Sequence, residues 1–175
     1  MRIKSVPGDS TRPITDRVKE SLFNIIGKDI IDSHFLDVYG GSGSVSIEAL
    51  SRGASYARIL ELNATAFTTI KDNLRFTHLF DKANVIKIDS LKYLKNNADQ
   101  TFDYIYVAPP QYKKMWITTL QILETNNAWL REDGWIIVQI HPIEEETYPS
   151  TYFEIFDRRK YGSTLLLFFQ KESKR

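Results

Sequence analysis

A strand, a glycine turn and a helix start follow one another within His34 to Ser44, and no other stretch constrains the fold as much. Phe35 to Tyr39 has the aromatic and β-branched composition of a buried strand. Three glycines within four residues allow positive φ and close approach of a ligand to the backbone: Gly40, Gly41 and Gly43. Ser44 opens an apolar-periodic segment and is predicted to cap a helix. The stretch therefore predicts a βα unit whose turn faces a ligand.

The residues around the turn narrow the choice of ligand. A dinucleotide fingerprint, G-x-G-x-x-G, would run from Gly41 to Ser46, where the third glycine is missing. A phosphate loop would need a lysine after Gly43, and none is present. Asp37, just before the turn, favours a cationic nucleoside that carries an amino acid, namely S-adenosylmethionine. A tight turn without a ligand also remains compatible with the glycines alone.

Composition bounds the class of protein. The 175 residues suit one domain, and 42% of them are hydrophobic, enough for a sizeable core. No apolar run approaches the length of a membrane span, and the polar start carries no secretory signal. With no cysteine and three scattered histidines, the chain has no disulfide, no cysteine nucleophile and no pattern for a metal site. We therefore expect a cytoplasmic protein with no metal.

Hydrophobic periodicity predicts alternating strands and helices closed by a hairpin. Helices are expected at 15–26, 44–52, 64–78, a short segment from about 90, and 114–123. Strands are expected at 35–39, 56–62, 84–88, 102–107, 134–140, 152–159 and 164–170. The short connection at 161–163 implies antiparallel pairing. The predicted fold is α/β: a doubly wound, mostly parallel sheet with one reversed strand near an edge.

Polar residues stand where consecutive strands end, which is where open α/β sheets bind ligands. Glu61 is expected to accept from both ribose hydroxyls, Asp89 or Ser90 to meet the adenine amine, and Asp37 to meet the methionine ammonium. Each acid alone also fits a solvated loop residue. The full predicted donor site comprises Asp37, Tyr39, Gly40, Gly41, Ser42, Gly43, Glu61, Leu62, Asp89 and Ser90.

A proline pair ends the fourth predicted strand. Each proline disfavours helical geometry in its predecessor, so Ala108 and Pro109 are expected to be extended, with outward-pointing carbonyls. Such carbonyls can hold an exocyclic amine and offset positive charge as a methyl group arrives. We predict a catalytic loop of Ala108, Pro109, Pro110, Gln111 and Tyr112, with the tyrosine stacking on the base. A stiff loop terminator is the alternative.

Basic residues cluster near both ends of the chain although the formal net charge is only +1. Local patches of this kind can hold a phosphate backbone, and each could also be a solvated face. The predicted phosphate contacts are Arg12, Arg17, Lys113, Arg158, Arg159 and Lys160.

Three motifs carry a family resemblance. Thr11 to Asn24 is similar to T-R-P-x-x-D-R-V-(R/K)-E-x-L-F-N, Leu36 to Gly53 to L-D-x-(F/Y)-x-G-S-G-x-x-x-x-E-A-L-S-R-G, and Arg159 to Thr164 to R-x-Y-G-x-T. The chain resembles the bacterial small-subunit ribosomal RNA guanine-N2 methyltransferases of the RsmD type. The resemblance implies a Rossmann-like class I methyltransferase fold of seven strands, S-adenosylmethionine as donor, and a guanine amine of ribosomal RNA in a 30S particle as acceptor. We expect one domain over 1–175, with an irregular basic segment at 1–14, a helix at 15–27, and a monomer.

Two departures from the family pattern leave alternatives open. The family usually has Asp-Pro-Pro-Tyr where this chain has Ala108-Pro109-Pro110-Gln111-Tyr112, so a carboxylate that would hold the amine is absent. Gln111 is the expected replacement acceptor. The alternative is a catalytically impaired relative that only binds the donor, or a methyltransferase for another substrate. Family members also carry a longer basic N-terminal segment, so this start is either truncated or grips RNA less.

Overall fold

The computed structural model describes residues 3–6, 13–110 and 114–172. Within them, five helices are present: α1 Asp16–Ile26, α2 Ser44–Ser51, α3 Ala64–Phe76, α4 Ser90–Leu94 and α5 Met115–Thr125. The seven strands are β1 His34–Asp37, β2 Tyr56–Leu60, β3 Ala83–Ile86, β4 Phe102–Val107, β5 Leu130–Ile140, β6 Phe153–Tyr161 and β7 Thr164–Lys171. Short 3-10 helices occupy Gly27–Ile30, Phe80–Lys82, Asn127–Trp129 and Pro142–Glu144.

The strands form one sheet in the order β3-β2-β1-β4-β5-β7-β6. The first five strands in the chain pair in parallel, while β7 runs antiparallel to both β5 and β6. The predicted mostly parallel sheet with one reversed strand near an edge is thereby confirmed. In register, Asp37 pairs with Tyr106, and Tyr106 pairs with Ile137. The ends of β1, β4 and β5 therefore lie side by side.

Helices cover both faces of the sheet, as expected for parallel strands that are apolar on both sides. One buried cluster joins α1, α2 and α3 to one face, and the other joins α4 and α5 to the opposite face. Thr15 caps α1 by accepting from the Val18 amide at 3.3 Å. Gly27 ends α1 at φ +66°. The sequence of α1 thus sets its bounds within one residue of the prediction.

The cap of α2 and the start of β5 differ from the prediction. The cap of α2 is Gly43 in the left-handed region, without a side-chain hydrogen bond, and Ser44 is the first helical residue. Strand β5 begins at Leu130, four residues before the predicted start at Gly134. The pairing shifts register here: Phe102 pairs with Leu130 and Tyr104 with Trp135, so the polar β5 residues 131–133 lie in an irregular part of the strand pair. A Cβ on Gly134 would lie 2.9 Å from the Asp103 carbonyl oxygen, so glycine allows the close approach there.

Strands β1, β2 and β3 each end two residues earlier than predicted, at Asp37, Leu60 and Ile86. Backbone pairing nevertheless continues beyond these ends, since the Val38 amide donates to the Tyr106 carbonyl and the Glu61 amide to the Ile86 carbonyl, both at 3.0 Å. The search for membrane-crossing helices found no segment of sufficient length and apolarity in the described ranges.

Candidate functional site

An open cleft lies over the carboxyl ends of β1, β4 and β5 and encloses about 790 Å³, its mouth included. The glycine turn at 39–44 forms one wall and Ala108-Pro109 another. Residues 5–6 and 13–14 close a third side, and the β6–β7 turn at 163–164 borders the fourth. The structure therefore brings the predicted glycine turn and proline segment to a single cleft.

Backbone hydrogen bonds hold the glycine turn in place. The Gly40 amide donates to the Leu60 carbonyl at 2.9 Å, and the Gly43 amide donates to the Gly40 carbonyl at 2.8 Å. Gly41 has φ +59°, and a Cβ there would meet no atom within 4 Å. Gly41 lines the cleft in a left-handed conformation that glycine adopts without strain.

Asp37 has an unsatisfied carboxylate oxygen at the wall of the cleft. Its Oδ2 accepts from the Ser46 hydroxyl at 2.8 Å, and the residue is only 1% exposed. Its Oδ1 is the one buried side-chain oxygen or nitrogen in the described residues that has no hydrogen-bond partner. The pKa of Asp37 is raised to about 7, mainly by burial and to a lesser extent by the nearby Glu61 carboxylate, against the lowering effects of the Ser46 hydroxyl and the Tyr39 backbone. An orphan acceptor of this kind suits a cationic group.

Glu61 lies against the glycine turn. Its Oε1 accepts from the Gly41 amide at 2.9 Å and its Oε2 from the Asn63 amide at 2.8 Å. Each carboxylate oxygen keeps a lone pair for a further donor, such as a hydroxyl. The next residue, Leu62, exposes 60% of its surface and offers an apolar face beside that carboxylate.

Asp89 and Ser90 differ in what they leave available. Asp89 caps α4, and its Oδ1 accepts from the amides of Leu91 and Lys92 at 3.0 and 3.3 Å. Its Oδ2 has no partner among the described residues. The buried Ser90 hydroxyl donates to the Val38 carbonyl. Of the pair, Asp89 therefore has the freer acceptor.

Residues 108–110 leave the end of β4 and enter the cleft wall. Ala108 and Pro109 both line the cleft. Neither carbonyl accepts a hydrogen bond from any described residue. The predicted Gln111, Tyr112 and Lys113 lie outside the described residues, and so does Arg12.

Residues of β4 and β5 that the sequence analysis did not select also line the cleft. The Tyr106 hydroxyl donates to Oε1 of Gln139, and both side chains are buried. Burial and the neighbouring Asp37 charge raise the pKa of Tyr106 well above its usual range. The sequence did contain a signal for Gln139 as a cleft residue, because it is a polar residue near the carboxyl end of a predicted central strand.

Tyr39 also borders the cleft, and its hydroxyl lies 2.9 Å from the Thr119 hydroxyl. Burial raises the pKa of Tyr39 to about 12. The described residues contain no group of three or more histidine, aspartate or glutamate side chains that could hold a metal ion.

Residues 3–6 are tied to the glycine turn through one buried side chain. Asn73, which is 1% exposed, accepts from the Lys4 amide at 2.7 Å and donates to the Lys4 carbonyl at 3.0 Å. The same Nδ2 donates to the Ser42 carbonyl at 2.9 Å. Asn73 on α3 therefore joins two walls of the cleft.

The predicted phosphate contacts differ in how far they are already paired. Arg158 makes two hydrogen bonds to Glu145, both at 2.6 Å, and Arg159 pairs with Asp157 at 3.1 Å. Arg17 and Lys160 are exposed, and neither forms an ion pair with a described residue. The two unpaired cations are the freer to meet a phosphate.

Comparison with known proteins gives one family over nearly the whole chain. A family model described as Conserved hypothetical protein 95 matches residues 1–170. YlbH of Bacillus subtilis, provisionally named an rRNA methyltransferase, is 37% identical over 173 residues, covering 97% of this chain and 92% of that protein. The Haemophilus influenzae protein named Ribosomal RNA small subunit methyltransferase D is 38% identical over 133 residues, covering 75% of this chain and 68% of its own.

Solved structures agree with the fold. A structure from Escherichia coli, provisionally described as the methyltransferase yhhF, superposes with a TM-score of 0.82 at 30% identity, covering 97% of this chain and 91% of that one. An RNA methyltransferase from Salinibacter ruber, solved with S-adenosyl-L-homocysteine, gives a TM-score of 0.70 at 11% identity, covering 94% and 97% of the two chains. The predicted Rossmann-like class I methyltransferase fold is confirmed.

Proposed function

This chain belongs to the RsmD-type family of ribosomal RNA methyltransferases that the Conserved hypothetical protein 95 model describes, and we propose that it methylates the exocyclic N2 amine of a guanine in small-subunit ribosomal RNA. The methyl donor in this proposal is S-adenosylmethionine. The acceptor is the RNA of an assembled or assembling 30S particle in the cytoplasm, and the enzyme works as a monomer.

One observation carries the proposal: Asp37, whose buried Oδ1 has no hydrogen-bond partner among the described residues, lines the same cleft as the glycine turn, Ala108 and Pro109. A buried acceptor without a partner is costly unless a ligand satisfies it. The α-ammonium of the donor supplies the matching charge and hydrogens. Glu61 would hold the ribose hydroxyls, Leu62 and Asp89 the adenine.

S-adenosylmethionine supplies an electrophilic methyl group when bound. The chain itself positions the nucleophile. The lone pair of an aryl amine is delocalised into its ring, so acceptors must orient the N–H bonds and offset the developing positive charge. The carbonyls of Ala108 and Pro109 are the available acceptors in the described part of the loop. Gln111 would supply a third, and Tyr112 would stack on the base.

The absence of a carboxylate at position 108 is expected to slow methyl transfer. One preorganised hydrogen bond to a transition state contributes about 3 kcal/mol, or roughly a hundredfold in rate. The retention of Asp37, Glu61 and Asp89 together with the glycine turn argues against a decayed site. We therefore infer that Gln111 compensates for Ala108.

A tritiated-methyl transfer assay on small ribosomal subunits from a strain without its own enzyme of this type tests the proposal. Wild type, Ala108→Asp and Gln111→Ala are compared, with donor affinity measured in parallel by calorimetry. We expect transfer by wild type, and loss of transfer with retained donor binding in Gln111→Ala. A silent wild type with an active Ala108→Asp would contradict the proposal.

The second candidate, a donor-binding relative without transfer activity, is favoured by one observation, the alanine at position 108. The assay above separates the two. Calorimetry also separates both from a nicotinamide dehydrogenase, since only the latter would bind a dinucleotide in preference to S-adenosylmethionine.

A further inference from the structure

The side-chain amide of Gln139 has an N–H group, at Nε2, that is available to a ligand in the cleft. Its Oε1 accepts the hydrogen of the buried Tyr106 hydroxyl. Its Nε2 has no partner among the described residues, although Gln139 is only 9% exposed and lines the cleft. With Oε1 occupied by the Tyr106 hydroxyl, the two N–H hydrogens of Nε2 are left without an acceptor among the described residues. The wall of the cleft thus contains a hydrogen-bond donor that has no partner among the described residues.

The sheet order places Gln139 on the side of the cleft where the methyl-accepting base would bind. The proposed S-adenosylmethionine site uses the ends of β1, β2 and β3, which lie on one side of β4. Gln139 belongs to β5, on the other side of β4. Ala108 and Pro109, which extend from β4, lie between the two sides. A base whose amine reaches the proline segment would therefore present its ring toward Gln139.

We propose that Gln139 donates a hydrogen bond to the ring nitrogen beside the target amine, N3 in a guanine, and so fixes the plane of the base. The inference rests on the proposed function and names a substrate contact within it. The carbonyls of Ala108 and Pro109 can only accept, so they hold the amine but cannot hold a ring acceptor. Gln139 Nε2 supplies the complementary donor. Two unlike contacts at neighbouring atoms fix an orientation that one contact leaves free.

Variants at Gln139 test the contact. Gln139→Met keeps the length and apolar body of the side chain but removes both the N–H donor and the acceptor of the Tyr106 hydroxyl, whereas Gln139→Glu keeps that acceptor and removes only the N–H donor. We expect kcat for methyl transfer to fall about 10- to 100-fold in Gln139→Met and at least as far in Gln139→Glu. Donor affinity and KM for the subunit should stay within about twofold. Gln121→Met, on the exposed face of α5, serves as the matched control and should behave as wild type.

A change in the substrate distinguishes a base contact by Gln139 from a purely structural role of its side chain. After the methylated guanine is located by mass spectrometry, subunits are reconstituted with 3-deazaguanosine at that position, which lacks the ring acceptor. Wild type should then fall to the rate of Gln139→Met, while Gln139→Met itself should fall no further.

Three outcomes have distinct meanings. Equal losses from the two changes in wild type, without further loss in combination, support the contact. Wild-type kcat in Gln139→Met, or a loss of transfer in Gln139→Met that Gln139→Glu does not share, overturns the contact and leaves the proposed function in place, because only the first variant breaks the bond to Tyr106. A wild type that binds no S-adenosylmethionine and transfers no methyl group removes the proposed function itself, and the contact with it.

Discussion

Asp37 is the residue whose ionisation links ligand binding to pH. Burial raises its pKa to about 7, so at pH 6 the carboxyl of the free protein is mostly protonated. A bound ammonium favours the charged form, and binding should therefore release close to one proton at pH 6. Calorimetry of S-adenosylmethionine binding in buffers of different ionisation enthalpy measures this number. Asp37→Asn should release none, and an equal release from both proteins would contradict the assignment.

The same shift predicts how stability depends on pH. A carboxyl whose folded pKa is about 7, against an ordinary value of 3.8, binds more protons folded than unfolded between those values. Its contribution is fully favourable below about pH 4 and is lost as the pH rises through 7. At 1.36 kcal/mol per pKa unit the loss reaches at most about 4 kcal/mol. In urea denaturation, Asp37→Asn should become more stable than wild type at pH 8 but not at pH 4; a pH-independent difference would count against the burial argument.

At the scale of an element, the glycine turn combines a backbone role with a ligand role. Gly41→Ala should destabilise the fold by about 1 kcal/mol, because alanine is strained at φ +59°, and should also weaken S-adenosylmethionine binding at least tenfold, because Gly41 lines the cleft. Gly162, at φ +58° in the β6–β7 turn and likewise with nothing within 4 Å, is the matched control. Gly162→Ala should show the strain in denaturation and normal donor affinity in calorimetry. Equal affinity losses in the two variants would refute the separation.

Asn73 joins elements that the chain separates by many residues. Asn73→Leu removes its three hydrogen bonds and leaves the Lys4 and Ser42 carbonyls without this partner. We expect a loss of about 2 to 4 kcal/mol in unfolding free energy and a several-fold weaker donor affinity, since residues 3–6 are then free of the turn. Asn126, whose amide donates to the carbonyls of Leu94 and Asn96 far from the cleft, is the control. Asn126→Leu should lower stability while donor affinity stays normal.

The elements show which features local sequence determines. The cap at Thr15 and the proline segment after Val107 depend on residues adjacent in the chain, and prediction placed both correctly. The Tyr106–Gln139 bond and the Asn73 clamp depend on strand order and helix packing across about 30 to 70 positions, which no local pattern encodes. The cap of α2 was wrong because Gly43 and Ser44 are both acceptable caps by composition. Only the left-handed turn decides between them.

At the scale of the whole molecule, charge is balanced, with 23 Lys and Arg against 22 Asp and Glu. The RNA affinity that the proposed function requires must then come from the placement of a few unpaired cations rather than from net charge. The sequence located the basic clusters but not their partners. Glu145 stands 13 positions before Arg158 and is brought to it only by the fold.

The salt dependence of RNA binding distinguishes paired from unpaired cations. Each phosphate contact contributes about 0.7 to 0.9 to the slope of log affinity against log salt. Arg17→Gln and Lys160→Gln should each reduce the slope by about that amount, because Arg17 lies in the first turn of α1, next to the cleft wall at 13–14, and Lys160 precedes the turn that borders the cleft. Arg158→Gln should reduce the slope less, because its guanidinium must first leave the bidentate pair with Glu145.

The control is Lys28→Gln. Lys28 is exposed and lies before the amino end of β1, opposite the cleft, so this variant should leave the slope unchanged. Filter binding of small-subunit RNA from 50 to 300 mM salt, about the range in which such slopes are resolved, measures all four. A slope change in Lys28→Gln equal to that in Lys160→Gln would mean that RNA binds without regard to the cleft, and the acceptor would then have to be sought on another face.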